Sequence, residues 1–289
     1  MRKISLSRAE SIQITDVVGL FRQIDQNYHQ PSSVLLTAEN ATMSKPIAII
    51  LAAGQGTRMK SDLPKVLCPI LERPMISYVL DALEAVGIAR SLVVVGYRGD
   101  EVRRQLAQRN NLEFVEQAQR LGTGHAVQTC VDLFREHQGA VLVLTGDSPM
   151  IQPTSLKQLL DHYEREHPSC ILGTLHKDNP AGLGRIIRDD TGQFTGIVEE
   201  KDATEAQRSI TEVNMSTYLF RGPDLIEALS QLTNDNRQSE YYLTDCPGIL
   251  VEHGMNVQAL PVLQPCEALT INTIDELQLV ETEMLKMGS

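Results

Sequence analysis

Three things are scarce in this sequence of 289 residues, and each scarcity removes a class of function. Long apolar runs are missing: the best, at 47–53 and 140–144, fall far short of the ~20 residues a membrane helix needs, so no bilayer span is expected. Positive charge is in deficit, with 26 Lys and Arg against 37 Asp and Glu, a formal net charge of -11. Duplex binding works by neutralising phosphates, so a nucleic-acid partner is not expected, while a small anion gripped by local cations stays compatible. Paired cysteines are also missing. Cys68, Cys130, Cys170, Cys246 and Cys266 lie scattered without Cys-x-x-Cys spacing, which reads as reduced core thiols rather than zinc ligands or a disulfide framework. The first residues carry early charge but no uninterrupted apolar segment ahead of a small-residue cleavage site, so they do not read as a secretory signal. A cytoplasmic globular protein is expected, and 42% hydrophobic residues suffice for one large core or two unequal ones.

What is present is ordered. Residues 1–44 are polar and weakly periodic and read as an N-terminal arm; Met43, just before the first convincing strand, is the expected biological start. From 45 to 289 apolar runs at 47–51, 92–95, 112–115, 141–144 and 171–175 alternate with helical patterns, which predicts an α/β fold with a parallel sheet covered by helices. Pro74 heads a helix whose inward face is Ile76, Val79, Leu80 and Leu83, and Gly87 stops it. Helices are predicted at 123–134 and 154–163, each opening on a Thr suited to capping. Two extended runs around Asp190, Thr191 and Gly192 predict an inserted antiparallel hairpin, a candidate wall for a sugar. A strand at 214–220, a helix at 223–232 and a helix over 241–253 interrupted near Pro247 follow. Thr273 and Glu276 have capping-box spacing at the head of a last helix.

Three strings could carry chemistry. LAAGQGTRMK at 51–60, with Lys65 beyond, follows a strand, and its glycines let backbone N–H groups approach phosphate oxygens while Arg58 and Lys65 add fixed positive charge. It is neither a dinucleotide fingerprint, since Met59 stands where a third glycine belongs, nor a P-loop, which ends in Gly-Lys-Ser/Thr. QAQRLGTGHA at 117–126 falls at the carboxyl edge of the sheet, where ligands of open α/β sheets bind; Gln117 suits a base edge, Gly122 and Thr123 suit close approach of a base, and His125 reads as a structural or helix-start partner. VLVLTGD at 141–147 ends a strand on Asp147, a hard oxygen ligand of the kind magnesium takes singly or in pairs. Gly184, Glu199 and Asn214 offer chemistry for sugar hydroxyls, and Asn272 a second metal ligand.

Taken with GIVEEKDAT at 196–204 and TNDNRQSEYYLTD at 233–245, these strings resemble, in order, those of the sugar nucleotidyltransferases, and within them the uridylyltransferase domains of bacterial bifunctional UDP-N-acetylglucosamine pyrophosphorylases. The resemblance runs from about Lys45 to Lys286. It implies a Rossmann-like, mostly parallel sheet with an antiparallel sugar-binding insertion, and transfer of the uridylyl group of UTP to N-acetylglucosamine 1-phosphate. Leu51, Ala52, Ala53, Gly54 and Lys65 would hold the nucleotide, Gln117, Gly122 and Thr123 the uracil, and Arg58, Lys65 and Asp147 would act in catalysis. Gly184, Glu199, Asn214 and Asn272 would face the sugar, and Asp147 with Asn272 would bind Mg²⁺. Two departures stand out. Thr145 occupies a position where close relatives carry Tyr, and no hexapeptide-repeat β-helix follows the last helix, so neither acetyltransferase activity nor the trimer it builds is expected. The rival readings are a cytidylyltransferase acting on a polyol phosphate and a nucleotide-sugar sensor that has lost turnover.

Overall fold

The computed structural model describes residues 44–59 and 61–288; the expectations about an N-terminal arm and start site lie outside the described residues. Among the described residues nine strands form one sheet, in the order β11-β7-β10-β6-β1-β4-β5, with a hairpin β8–β9 attached through β10. The strands are β1 (Ile47–Ala52), β4 (Ser91–Val95), β5 (Leu112–Glu116), β6 (Ala140–Thr145), β7 (Cys170–His176), β8 (Gly184–Arg188), β9 (Phe194–Val198), β10 (Glu212–Arg221) and β11 (Val257–Leu260). A separate two-stranded ribbon pairs β2 (Pro69–Ile70) with β3 (Arg73–Pro74).

β1, β4, β5 and β6 run parallel, as do β11 and β7, whereas β10 lies antiparallel between β6 and β7. The central strands are continuous apolar runs because both faces are covered. Alternate residues feed two cores: Ile47, Ile49, Leu92 and Val94 pack with Phe134, Leu225 and Leu250 on one face, and Ala48, Ile50, Val93 and Val95 with Val79, Leu83, Leu156 and Leu159 on the other. The helix Met75–Ala85 buries the predicted Ile76, Val79, Leu80 and Leu83. It stops at Gly87, whose φ of +81° allows the N–H groups of Gly87 and Ile88 to turn back onto the carbonyls of Glu84 and Leu83.

The predicted hairpin is present, and Asp189 builds its turn by accepting from the N–H groups of Thr191 and Gln193, both at 2.9 Å. β10 joins the hairpin to the sheet. Its first residues pair with β7 on one side and β8 on the other, Asn214 opposite both Thr174 and Gly184, and after a bulge between Asn214 and Thr217 its remainder pairs with β7 and β6. At the bulge Ser216 adopts a φ of +56°, and its N–H donates to the Asn214 side chain at 3.2 Å.

Several local expectations are corrected. The helix expected over 123–134 divides into Thr123–Gln128 and Val131–Phe134. Neither opening Thr caps its helix: the Thr123 hydroxyl accepts from the Leu243 N–H at 3.1 Å, and the Thr154 hydroxyl accepts from the Gln264 amide at 2.8 Å, so tertiary ties displaced local ones. In the 241–253 segment the α-helix is only Cys246–Glu252, preceded by a 3-10 turn at Leu243–Asp245. Pro247 sits in its first turn, where a missing N–H breaks no bond, and so does not interrupt it. The Thr273 and Glu276 capping box forms as expected at the head of Ile274–Met287.

Candidate functional site

The parallel register brings the carboxyl ends of β1 and β6 side by side, with Leu51 opposite Thr145. Everything immediately beyond those two residues shares one crevice. From β1 the chain passes through Gly54 and Gly56 and folds back at the 3-10 turn Lys65–Leu67. Gly56 has φ +67°, and a Cβ there would lie 2.6 Å from the Lys65 Cβ, so only glycine lets Lys65 return this close. At Gly54 a Cβ would meet nothing within 4 Å and would project into open space. From β6 the chain reaches Asp147 through Gly146, whose N–H donates to the Leu51 carbonyl at 2.9 Å.

Four side chains from four segments meet here. The Lys65 ammonium donates to Asp147 Oδ2 at 2.5 Å and to Asn272 Oδ1 at 3.0 Å, and Arg58 donates to the same Asn272 oxygen at 2.9 Å. Asp147 and Asn272 thus present two hard oxygens converging on one cation. Asn272 is held from behind by Glu276, which accepts from the N–H groups of Asn272 and Thr273 at 2.6 and 2.9 Å. The segment after Asp147 is fixed by Glu267, a buried carboxylate that accepts from the Gln152 N–H, the Ser155 hydroxyl and the Gln264 N–H at 3.1, 2.6 and 2.6 Å. Burial pushes the Glu267 carboxyl up against the opposing pull of those donors. Among the described residues no group of three or more His, Cys, Asp or Glu side chains could hold a metal ion. Four of the five cysteines are buried, and burial pushes the Cys130 thiol up to about 12 and raises the Cys170 and Cys246 thiols as well.

Two connected hollows open from the crevice. One, of about 250 Å³, is lined among others by Gly54, Lys65, Gln117, Gly122, Thr123 and Asp147. Ala53 and Leu51 also face it, whereas the Ala52 side chain is buried in the core on the opposite face of the sheet. Gly122 is required here for a reason the string did not reveal: at φ +112°, a Cβ would lie 2.5 Å from the Tyr241 carbonyl oxygen. The loop is tied to that segment by the Gly124 N–H donating to Tyr241 O and the Tyr241 N–H donating to Leu121 O, both at 2.8 Å.

The second hollow, of about 270 Å³, shares Leu51, Thr123, Thr145 and Glu240 with the first and is walled by Glu199, Tyr218 and Tyr242. Gly184 and Asn214 stand against Glu199: a Cβ on Gly184 would lie 3.6 Å from both Glu199 Oε1 and Asn214 Cβ. Burial pushes the Glu199 carboxyl up, a Thr244 hydrogen bond opposes this, and Asp245 and Asp202 add to the rise. The Asn214 amide is used internally, donating to the Tyr218 hydroxyl at 2.7 Å. Behind the wall the buried Arg185 donates to Glu200 at 2.6 Å, and Glu200 accepts from the Gly182 N–H at 3.3 Å. Of the residues expected to face a sugar, only Glu199 lines this hollow, Gly184 and Asn214 lie buried next to it, and Asn272 stands with the cations of the other. Glu240, common to both, and Glu267, which braces the crevice, were given no role from the sequence, and Glu276 only that of a helix cap; a Pro265 with Glu267 two residues on was the available signal for a turn there.

No helix among the described residues is long and apolar enough to cross a membrane. A protein-family model described as the MobA-like NTP transferase domain matches residues 48–243. Similar curated proteins include the "Bifunctional protein GlmU" of Lactococcus lactis subsp. lactis (strain IL1403), 42% identical over 239 residues, which make up 83% of this chain and 52% of that protein. The protein of the same name from Geobacillus sp. (strain WCH70) is 42% identical over 243 residues, 84% of this chain and 52% of that one. The chain spans about half the length of these curated relatives. Among solved structures, a UDP-glucose pyrophosphorylase complexed with UDP-glucose aligns with a TM-score of 0.68 at 19% identity, over 85% of this chain and 100% of that one. That likeness carries the fold, and the match over 48–243 carries the kinship: the chain belongs to the family of MobA-like NTP transferase domains.

Proposed function

We propose that this protein transfers the uridylyl group of UTP to N-acetylglucosamine 1-phosphate, yielding UDP-N-acetylglucosamine and pyrophosphate. The observation that carries the reading is the contact of Lys65 with both Asp147 and Asn272, which sets the glycine loop, a cation and two hard oxygens in one crevice. The hollow bearing Gln117 takes the base, and the hollow walled by Glu199 takes the sugar. A phosphate oxygen of the sugar phosphate attacks the α-phosphorus; the new P–O bond forms as the bond to the β-phosphate oxygen breaks, and its electron pair leaves with pyrophosphate. The attacking oxygen is already anionic, so no general base is needed, and Arg58 and Lys65 work by orienting the triphosphate and offsetting developing charge.

The donor set fits a magnesium ion, since Asp147 and Asn272 offer one carboxylate and one amide oxygen converging on a common point, and such ions complete their shell with water and phosphate oxygens. When bound, Mg²⁺ supplies charge neutralisation at the phosphates. Pyrophosphate release should be measured with UTP, CTP, dTTP and GTP against the 1-phosphates of N-acetylglucosamine, glucosamine and glucose. Glucose 1-phosphate belongs in the panel because the structural neighbour holds UDP-glucose. Release confined to UTP with N-acetylglucosamine 1-phosphate is expected; a preference for CTP, or for glucose 1-phosphate, would overturn it.

A further inference from the structure

One motif residue, His125, has no task in the mechanism above, and its partner is Gln117. Gln117 is 4% exposed and lines the hollow assigned to the base. Its amide nitrogen lies 3.0 Å from the Gly122 carbonyl oxygen and 3.0 Å from Nδ1 of His125. A carbonyl oxygen only accepts, so the nitrogen end of the amide must face Gly122. With one N–H on Gly122, the other points to His125, whose Nδ1 must then accept and whose ring proton sits on Nε2. The amide atom left for the hollow is Oε1, an acceptor.

We infer that His125 is a positioning residue for base selectivity: by accepting the second N–H of Gln117 it locks the carboxamide so that only an acceptor faces the base. Uracil presents an N3–H donor to such a group, and cytosine presents a lone pair at the same place. An acceptor facing an acceptor leaves a buried polar group unpaired, and sites of this type discriminate by that loss. Flipping the amide to suit cytosine would set Oε1 against the Gly122 carbonyl oxygen and would also require the His125 proton to move from Nε2 to Nδ1. His125 does not line the hollow itself and packs toward Tyr241, with ring centroids 6.4 Å apart. The inference rests on the proposal that this hollow takes the base of a nucleoside triphosphate.

The test is the ratio of kcat/KM for UTP to that for CTP in the full-length protein. His125→Phe keeps the ring but removes the acceptor, and the ratio is expected to fall by about tenfold, the order of one neutral hydrogen bond. His125→Asn, which can offer an oxygen near the place of Nδ1, is expected to restore most of it. General weakening of the fold would lower both rates and leave the ratio alone. An unchanged ratio in folded His125→Phe, or a loss that His125→Asn does not rescue, would overturn the inference. A second measurement needs no variant: long-range ¹H–¹⁵N spectra of the wild-type protein should show His125 as the Nε2–H tautomer, and an Nδ1–H tautomer would contradict it. A wild-type protein indifferent to the base would remove the uridylyl reading itself, whereas a UTP preference that survives in His125→Phe removes only the role of His125.

Discussion

The two hollows are built from similar residue types by different means. In the crevice at the ends of β1 and β6, charged groups pair mainly with one another, and all of them are partly open to solvent: the Lys65 and Asp147 side chains keep 13% and 28% of their exposure. In the hairpin region the Arg185 side chain and the Glu212 carboxylate are buried, Arg188 keeps 29% of its exposure, and the ion pairs bind strands together. Arg188 grips Glu212 with two bonds of 2.7 Å, Thr174 adds a third, and Arg188 also reaches the Ala259 carbonyl at 2.8 Å, so one ion pair joins β7, β8, β10 and β11. The crevice network is one that a ligand must enter, whereas the Arg188 and Glu212 network ties four strands to one another. Removing charge should therefore affect turnover in the first region and stability in the second.

The largest effect is expected on turnover. Arg58→Ala and Lys65→Ala should each lower kcat/KM for pyrophosphate release by roughly 10² to 10³, the order for losing a group that stabilises transition-state charge. Thermal midpoints should stay near the wild-type value. A drop in midpoint in place of the loss of rate would erase the distinction between the two regions.

The wall should respond in the opposite way. Glu212→Ala leaves the partly exposed Arg188 without its partner and should cost about 1 to 3 kcal/mol in urea unfolding. The acid side sharpens this. Burial pushes the Glu212 carboxyl up, but the bonds from Arg188 and Thr174 outweigh it and hold the group below its ordinary value. A carboxyl lowered by folding contributes stability above its unfolded value that is lost as pH falls through its folded value. Glu267 has the other sign: burial raises it, so the stability linked to its protonation is present at low pH and lost as pH rises through its folded value. Unfolding curves taken across the carboxylate range should therefore show less acid destabilisation in Glu212→Gln and less loss on raising pH in Glu267→Gln. The same direction of change in both would refute the contrast.

The smallest effects separate two glycines. Gly122→Ala, at φ +112° and against the Tyr241 backbone, should cost about 1 to 3 kcal/mol. Gly54→Ala meets nothing within 4 Å and should leave the unfolding midpoint nearly unchanged while raising KM for the nucleotide, because the new methyl projects into the crevice. Equal midpoints for the two variants would contradict the packing described at Gly122.

How much of this could be read from the residues depends on how local each cause is. Strands buried on both faces, such as β1, β4 and β6, announce themselves as unbroken apolar runs, and the hairpin announces itself through its Asp-Thr-Gly turn. β11 does not, because Val257–Leu260 is short and mostly half-buried, with Gln258 in its middle. The absence of a Thr123 cap is not legible because its hydroxyl accepts from a segment 120 residues away. The same limit governs the site. The glycine loop and Asp147 are legible as motifs, but the arrival of Asn272 beside Lys65, 207 residues away, is a property of the fold, and its role was implied only by resemblance. Glu267 had only the turn signal of Pro265 to betray it, and the partnership of Gln117 with His125 had none.

The central claim is that the acid at the end of β6 works together with the cation it touches. Its most direct test is Mg²⁺-dependent pyrophosphate release from UTP and N-acetylglucosamine 1-phosphate, compared between wild type and Asp147→Ala at equal folded fraction. Release by the wild type that needs all three components and nearly vanishes in the variant is the expected result. A wild type that releases no pyrophosphate, or an Asp147→Ala protein that releases it at close to the wild-type rate, would contradict it.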